Sequence, residues 1–353
     1  MMKDFDSGGD VATTLSLRAR EDYVDTPAVH ALSKRARSYL DAGFPLHLRG
    51  PAGCGKTTLA FRLAAERGRP AMLLVGDEAL TTSDLIGKQT RFQHRKVVDR
   101  FIHSVLKYEE NIEQHWTDAK LTVACREGFT LIYDEFTRSR PEANNVLLGV
   151  LEERLLALPV DNGAGEYLRV HPDFRIIFTS NPREYAGVHG SQDALNDRVI
   201  TMDVDYVDEA TEIAIASSRA KLSSDLTVPI VRLVRAYRAS GEYEQSPTPR
   251  ATIVIARMVA LHKLRPSADN KDFVQLCFDV LEGKCMRDGH ASGQAPEHRQ
   301  TLLTLINEHC RVPRPASGKV RVPGGKAVPL QANAKARANG AKTACVHVGS
   351  LNS

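Results

Sequence analysis

The sequence contains no apolar run that approaches the roughly 18 residues a membrane-spanning helix needs. Its opening stretch, MMKDFDSGGD, carries acidic side chains and lacks the apolar segment of a secretory signal. These absences argue against a membrane-embedded or secreted protein. We therefore expect the chain to be cytoplasmic.

Metal-binding and disulfide patterns are missing as well. The 12 histidines include no H-E-x-x-H motif, and the cysteines form no C-x-x-C pair. The cysteines are Cys54, Cys125, Cys277, Cys285, Cys310 and Cys345. Because such spacings are the usual sequence signs of a zinc site or a disulfide framework, neither is expected.

What is present is an ordinary globular composition with an uneven charge. Hydrophobic residues make up 42% and charged residues 25% of the 353 residues, and this length suits about two domains. From Arg311 onward there are eight basic and no acidic residues, which leaves 39 basic and 43 acidic residues before it. This tail has no aromatic residue, so we expect it to be disordered. It can bind nucleic acid or an acidic protein, or merely add solubility.

The order of the predicted elements indicates an α/β fold followed by helices. Short apolar runs predict buried parallel strands at 45–50, 71–76, 130–136, 175–181 and 199–204. A helix at 27–42 has Thr26 as its cap and Pro27 in its first turn, and a second helix ends at Gly68. Helical patterns then cover 208–220, 226–239, 250–264, 270–283 and 297–309. We therefore expect a parallel sheet with helices on both faces, followed by a small helical domain.

The stretch RGPAGCGKTT, residues 49–58, is too rich in glycine to build a core. Residues 50–57 fit G-x-x-x-x-G-K-[ST] between a predicted strand and a predicted helix, which is the context of a phosphate-binding loop. We expect Lys56 to contact the β- and γ-phosphates and the Thr57 hydroxyl to bind Mg²⁺. The predicted nucleotide-binding residues are Gly50, Pro51, Ala52, Gly53, Cys54, Gly55, Lys56, Thr57 and Thr58.

Two carboxylates at the end of the strand TLIYDEF indicate hydrolysis as well as binding. Asp134 is expected to hold Mg²⁺ through its water shell, and Glu135 to polarise the attacking water. A second acidic residue directly after the first separates hydrolases from many nucleotide switches.

The strand IIFTSN carries Ser180 and Asn181 to the same region. On a neighbouring strand, Asn181 can orient the attacking water toward the γ-phosphate. An Asn-Pro pair after a strand is equally an ordinary turn, so the residues alone leave both interpretations open.

The order of these motifs resembles that of the AAA+ ATPases, in particular the MoxR type. The loop, the DE strand and the TSNP strand are followed by DALNDRV (193–199) and PTPRAT (247–252). Longer segments are similar to the gas vesicle protein N family, namely TSDLIG (82–87), RKVVDRFIHSV (95–105), residues 124–156 and SNPREYAGVH (180–189). The resemblance covers about residues 20–285.

This resemblance implies a five-stranded sheet with strand order 5-1-4-3-2, a helical lid, and assembly into a ring, a hexamer. By position, Asn181 becomes sensor 1, Arg198 the arginine finger for a neighbouring subunit, and Arg250 sensor 2. If the family resemblance is set aside, an ordinary surface ion pair is the simpler interpretation of Arg198 and of Arg250. Together with the composition of the tail, the resemblance predicts an N-terminal arm (1–24), an AAA+ domain (25–207), a helical lid (208–310) and a basic tail (311–353).

Two further segments are assigned to the ring's pore by the resemblance. Residues 154–174 alternate in polarity around a DNGAG turn, which predicts a hairpin. The basic stretch 88–100 occupies a comparable position, but Phe92 is its one aromatic residue, so a nucleic-acid groove is not favoured. Cys54 departs from the small or hydroxyl residue usual in the loop. Redox control of that thiol is one hypothesis and inert packing the other.

The function implied by the resemblance is an ATP-driven, Mg²⁺-dependent remodelling motor that assists gas vesicle assembly. Its partners would be other copies of itself and gas vesicle shell or accessory proteins, and it would be cytoplasmic and associated with the vesicles. Two alternatives stay open. One is a MoxR-type activator of a metalloenzyme, and the other is a nucleotide-gated scaffold without sustained turnover.

Overall fold

The computed structural model describes residues 23–96, 109–159, 166–181, 193–241, 243, 246–282 and 295–310. Several sequence predictions lie outside these residues. They are most of the N-terminal arm, residues 97–100 of the basic stretch, the DNGAG turn, residues 182–189 of the family-like segment, Cys285, Cys345 and the basic tail.

The predicted helices and strands are present in the predicted order, with further elements between them. The α-helices are α1 (Pro27–Asp41), α2 (Lys56–Glu66), α3 (Thr82–Ile86), α4 (Lys120–Glu127), α5 (Pro141–Asn144), α6 (Val146–Glu152), α7 (Asp193–Asn196), α8 (Glu209–Ala220), α9 (Ser224–Ser240), α10 (Pro249–His262), α11 (Lys271–Leu281) and α12 (Ala295–His309). The strands are β1 (Leu46–Arg49), β2 (Ala71–Val75), β3 (Gly87–Lys96), β4 (Glu109–Asp118), β5 (Thr130–Asp134), β6 (Leu155–Leu158), β7 (Glu166–Arg169), β8 (Arg175–Ser180) and β9 (Ile200–Asp203).

Five strands form one parallel sheet in the order β2-β5-β8-β1-β9. When only these five strands are numbered 1 to 5 along the chain, their order read from the β9 edge is 5-1-4-3-2. The predicted fold class is therefore confirmed. The carboxyl ends of β1, β5 and β8 lie side by side, because all strands of the sheet run in one direction. Loops that follow these strands therefore meet at one edge of the sheet.

Adjacent residues of the central strands enter two different hydrophobic clusters, because side chains of a strand alternate between faces. Ile132 and Ile177 pack with buried residues of α1 and α2. Tyr133 and Phe178 pack on the other face with buried residues of α4 and α6. The sheet is thus covered by helices on both sides, and its strands consist of continuous apolar runs for that reason.

Two antiparallel ribbons accompany the sheet. β3 pairs with β4 along its whole length, and this ribbon was not predicted. The two strands read GKQTRFQHRK and EENIEQHWTD, so they lack the apolar alternation by which a strand is recognised in a sequence. β6 pairs with β7 inside the segment for which a hairpin is predicted.

The helices from α8 onward share a hydrophobic cluster of their own. Its fully buried residues include Ile230 and Leu233 of α9, Ile255 of α10 and Phe273 of α11. No helix within the described ranges is long and apolar enough to cross a membrane. The cysteines described there, Cys54, Cys125, Cys277 and Cys310, are free and buried.

His47 is a buried polar residue in the middle of the sheet, on β1. Its Nε2 lies 2.8 Å from Ser180 Oγ and its Nδ1 lies 3.1 Å from Thr201 Oγ1. Burial, helped by the nearby charge of Arg49 and opposed by that of Asp203, lowers the pKa of His47 to about 4. The folded protein therefore holds this imidazole in its neutral form.

We predict that the free energy of unfolding decreases as the pH falls from 6.5 to about 4. In that window His47 takes up a proton in the unfolded chain but not in the folded one, and the loss amounts to roughly 3 kcal/mol when complete. Urea unfolding of the wild type and of His47→Gln across this range measures the effect. The variant should show a shallower dependence on pH, and equal slopes would contradict the prediction.

Candidate nucleotide-binding site

The glycine-rich loop follows β1 and leads directly into α2. Gly55, with φ of +101°, is the N-cap of α2 and adopts a conformation that favours glycine. A Cβ on Gly50 would lie 2.0 Å from the carbonyl oxygen of Val204, so this position has no room for a side chain. The loop therefore passes close to the residues after β9 before it enters the N-terminus of α2.

Lys56 is buried inside this loop and 8% exposed. Its Nζ donates to the carbonyl oxygens of Gly50, at 2.8 Å, and Pro51, at 2.7 Å. The ammonium group is thus enclosed by the loop, where a phosphate group would also lie.

The acidic residues at the end of β5, Asp134 and Glu135, are hydrogen-bonded to α2 and to β8. Asp134 Oδ1 accepts a hydrogen bond from Thr57 Oγ1, at 2.8 Å, and a second one from Thr179 Oγ1. The backbone N–H of Glu135 donates to the same Thr179 oxygen, at 3.0 Å. Glu135 has a left-handed backbone, and its carboxylate lies 2.8 Å from Arg138 Nη1.

These groups line one cavity of about 360 Å³. The predicted residues that line it are Ala52, Gly53, Cys54, Gly55, Lys56, Thr57, Thr58, Asp134, Glu135, Asn181 and Arg250. Asn181 follows the last residue of β8 and Arg250 lies in the first turn of α10. Segments more than 100 residues apart in the sequence therefore meet around the glycine-rich loop.

Arg198 is not among the described residues that line this cavity. It lies between α7 and β9, where Nη1 donates to the carbonyl oxygen of Ala194, at 2.6 Å. Its Nε and Nη2 donate to Oε2 of Glu152, the last residue of α6, with 2.8 Å for the Nε contact. The structure thus separates Arg198 from the site of its own chain.

Sequence reasoning missed Thr179, which joins Asp134 to Glu135. The sequence could have predicted the position of Thr179, because side chains alternate along a strand and residues 179 and 181 therefore lie on the same side of the sheet. Ser180, which was singled out with Asn181, points the other way and contacts His47.

Sequence reasoning also missed the apolar side of the cavity. Its residues include Tyr23, Val24, Val29, Leu32, Val204, Val207, Ile215 and Ile253, and a further arginine, Arg219, also lines the cavity. These residues come from three distant parts of the chain, so no local pattern marks them. Together they provide a surface suited to a nucleobase.

Cys54 lies 3.8 Å from Lys56 Nζ at the base of the loop. Burial raises the pKa of the Cys54 thiol, and the nearby Lys56 charge only partly offsets that shift. The thiol form is therefore favoured, which supports inert packing over a reactive thiolate.

Comparisons with known proteins agree with this geometry. Residues 45–199 match the family model described as AAA domain (dynein-related subfamily). The gas vesicle ATPase GvpN of Ancylobacter aquaticus is 53% identical over 91% of this chain and 89% of its own length. The chain belongs to the GvpN family.

Other relatives match the chain at lower identity and coverage. GvpN of Haloferax mediterranei is 42% identical over 75% of each chain. Protein NorQ of Paracoccus denitrificans is 29% identical over 61% of this chain and 73% of its own length. The sequence-based resemblance is therefore confirmed. The chain is a nucleotide-binding AAA+ ATPase.

We predict that Thr179→Val lowers the kcat of ATP hydrolysis roughly 10- to 100-fold, since one hydrogen bond to a carboxylate and the anchor of the Glu135 backbone are lost. Valine has the shape of threonine but no hydroxyl group. Thr179→Ser, which keeps the hydroxyl, is the matched control and should stay near wild-type turnover. Steady-state phosphate release measures both variants, and a fully active Thr179→Val would show that the hydroxyl has no part in turnover.

Proposed function

We propose that this chain is a Mg²⁺-dependent, ATP-driven remodelling motor of gas vesicle assembly that works as a ring of identical subunits, a hexamer. The observation that carries the proposal is a single cavity in which Lys56, Asp134, Glu135, Asn181 and Arg250 meet. A similar gas vesicle ATPase, which covers 91% of the chain, supports the cellular process.

Thr57 and Asp134 are the residues that would hold Mg²⁺. Their side-chain oxygens lie 2.8 Å apart at the cavity, and hydroxyl and carboxylate oxygens are the ligands that this ion prefers. When bound, the ion would neutralise charge on the β- and γ-phosphate oxygens.

The remaining side chains have separate roles in hydrolysis. The Lys56 ammonium binds phosphate oxygens within the loop. Glu135 accepts a proton from the attacking water, and Asn181 orients that water toward the γ-phosphate. Arg250, at the start of α10, contacts the γ-phosphate and so links the position of the helical region, a lid over residues 208–310, to the bound nucleotide.

Arg198 acts on the nucleotide of the neighbouring subunit in this proposal. Its separation from the cavity of its own chain supports a role in trans, since a guanidinium stabilises a transferring phosphoryl group only on contact. AAA+ proteins are generally oligomeric, and a ring provides such a neighbour.

We predict that Arg198→Ala and Glu135→Gln are each nearly inactive alone, with losses of roughly 10³-fold or more for a missing arginine finger. A mixture of the two should regain turnover. In mixed rings, a Glu135→Gln subunit still supplies Arg198 to the intact site of an Arg198→Ala neighbour. Phosphate release from the mixture measures this recovery.

The matched control for this experiment mixes Arg198→Ala with the double variant Glu135→Gln/Arg198→Ala. That mixture contains no intact arginine and should stay inactive. Wild-type turnover of Arg198→Ala alone, or no recovery in the first mixture, would contradict a role in trans.

The ring's task is the assembly of gas vesicles through their shell or accessory proteins, in the cytoplasm and at the vesicle. A MoxR-type activator of a metalloenzyme, the alternative that the sequence resemblance leaves open, is the second candidate. The greater identity and coverage of the GvpN relatives favour gas vesicle assembly as the task.

The β6–β7 hairpin, where Tyr167 is 69% exposed, is the element proposed to face the pore and contact the client.

We predict that a vesicle-forming host whose own gene is replaced by Lys56→Ala or Glu135→Gln makes fewer or narrower vesicles. The first variant loses nucleotide binding and the second binds ATP without turnover. Lys34→Ala, at an exposed position of α1, is the matched lysine control and should give normal vesicles. Electron microscopy gives vesicle number and width. Normal vesicles with Glu135→Gln would favour the nucleotide-gated scaffold instead, and normal vesicles with both variants would exclude vesicle assembly as the task.

A further inference from the structure

Glu212 of α8 is a carboxylate buried among the helices that follow the sheet. It is 1% exposed and accepts hydrogen bonds from Arg235 Nη1, at 3.0 Å, Arg238 Nη2, at 3.1 Å, and Thr252 Oγ1, at 3.1 Å. A buried charge is strongly unfavourable unless it is paired and hydrogen-bonded, as this one is. Removing its charge should therefore disturb every group that it holds.

The two arginines extend from Glu212 to the segment that connects β9 with α8. Arg235 Nη1 donates to the carbonyl oxygen of Val207, at 3.0 Å. The Arg238 guanidinium lies 4.3 Å from the centre of the Tyr206 ring, and the Tyr206 hydroxyl donates to the carbonyl oxygen of Ala52, at 3.3 Å. A chain of contacts thus runs from Glu212 to the phosphate-binding loop.

The Glu212–Arg238 network also contacts residues on both sides of Arg250 in the sequence. Arg238 Nε donates to the carbonyl oxygen of Pro247, at 2.7 Å, and Glu212 itself binds Thr252. Between these two points Thr248 packs closely against the loop, where a Cβ on Gly53 would lie 2.6 Å from Thr248 Cβ. The start of α10 is therefore held on both sides of Arg250, at a fixed place relative to the loop.

We infer that Glu212 is a positioning residue for Arg250, holding the first turn of α10 so that the guanidinium can reach the terminal phosphate of ATP. The inference rests on the proposed function, in which Arg250 contacts the γ-phosphate. It assigns to Glu212 no contact with the nucleotide. Loss of Glu212 should therefore weaken the recognition of ATP more than that of ADP, which lacks the γ-phosphate.

The test measures the Kd values of ATP and ADP with Mg²⁺ by calorimetry, on the full chain carrying Glu135→Gln so that ATP is not consumed. Arg250→Ala should lower the ratio of the ADP Kd to the ATP Kd roughly tenfold, since one charge-assisted hydrogen bond is lost. Glu212→Gln should lower the ratio by a similar factor, because a neutral amide cannot hold two guanidinium groups. The double variant should be no worse than Arg250→Ala alone.

Glu209→Gln is the matched control. Glu209 also lies on α8 and pairs with an α9 arginine, Arg232, at 2.8 Å, but at the surface and outside this network. It should leave the ratio unchanged. Thr252→Val removes one bond from Glu212 without removing its charge, and it replaces Glu212→Gln in the test if that variant does not fold. It too should lower the ratio, by a smaller factor.

Three results would overturn the inference. The first is an unchanged ratio of the ADP Kd to the ATP Kd in folded Glu212→Gln or in its replacement Thr252→Val. The second is a double variant whose decrease in this ratio is the product of the two single decreases. The third is an unchanged ratio in Arg250→Ala, because Glu212 would then have no contact to position. A merely structural role would weaken ATP and ADP binding equally. Phosphate release by the wild-type chain is measured separately, so failure of the proposed motor is distinguishable from failure of this inference.

Discussion

The hydrogen bonds accepted by Asp134 are the interaction on which the site depends. They join the end of β5 to α2 through Thr57 and to β8 through Thr179. This meeting requires the parallel register in which Tyr133 lies beside Phe178. A slip of one residue would turn Thr179 to the opposite side, where Ser180 now contacts His47, and the acidic residues would lose their anchor.

The sequence was sufficient for those parts of the fold that local patterns encode. Burial on both faces restricts neighbouring strand residues to apolar types, so continuous apolar runs identified the buried strands. Phosphate binding requires glycines at fixed positions, so their spacing identified the loop before Lys56. The β3–β4 ribbon has no such pattern and was missed. The apolar side of the cavity was missed for a related reason, since its residues become neighbours only when the chain folds.

The two arginines assigned by resemblance show where physical reasoning from sequence ends. Arg198 and Arg250 both stand in short polar motifs, and nothing in those motifs distinguishes their positions. Only the fold separates them, placing Arg250 at the cavity and Arg198 beside Glu152. Ion pairs such as Arg198–Glu152 and Glu212–Arg238 join distant segments through long side chains, so their partners cannot be read from spacing.

Two buried charges in the chain are compensated in different ways, and the difference fits their roles. Lys56 binds two backbone carbonyl oxygens, whose partial charges offset an ammonium group only in part, so a phosphate anion would be a stronger partner. Glu212 is surrounded by two guanidinium groups and a hydroxyl, which leave it little to gain from a ligand. The first arrangement suits a group that exchanges partners during turnover. The second suits a group that keeps the same partners and fixes the geometry around them.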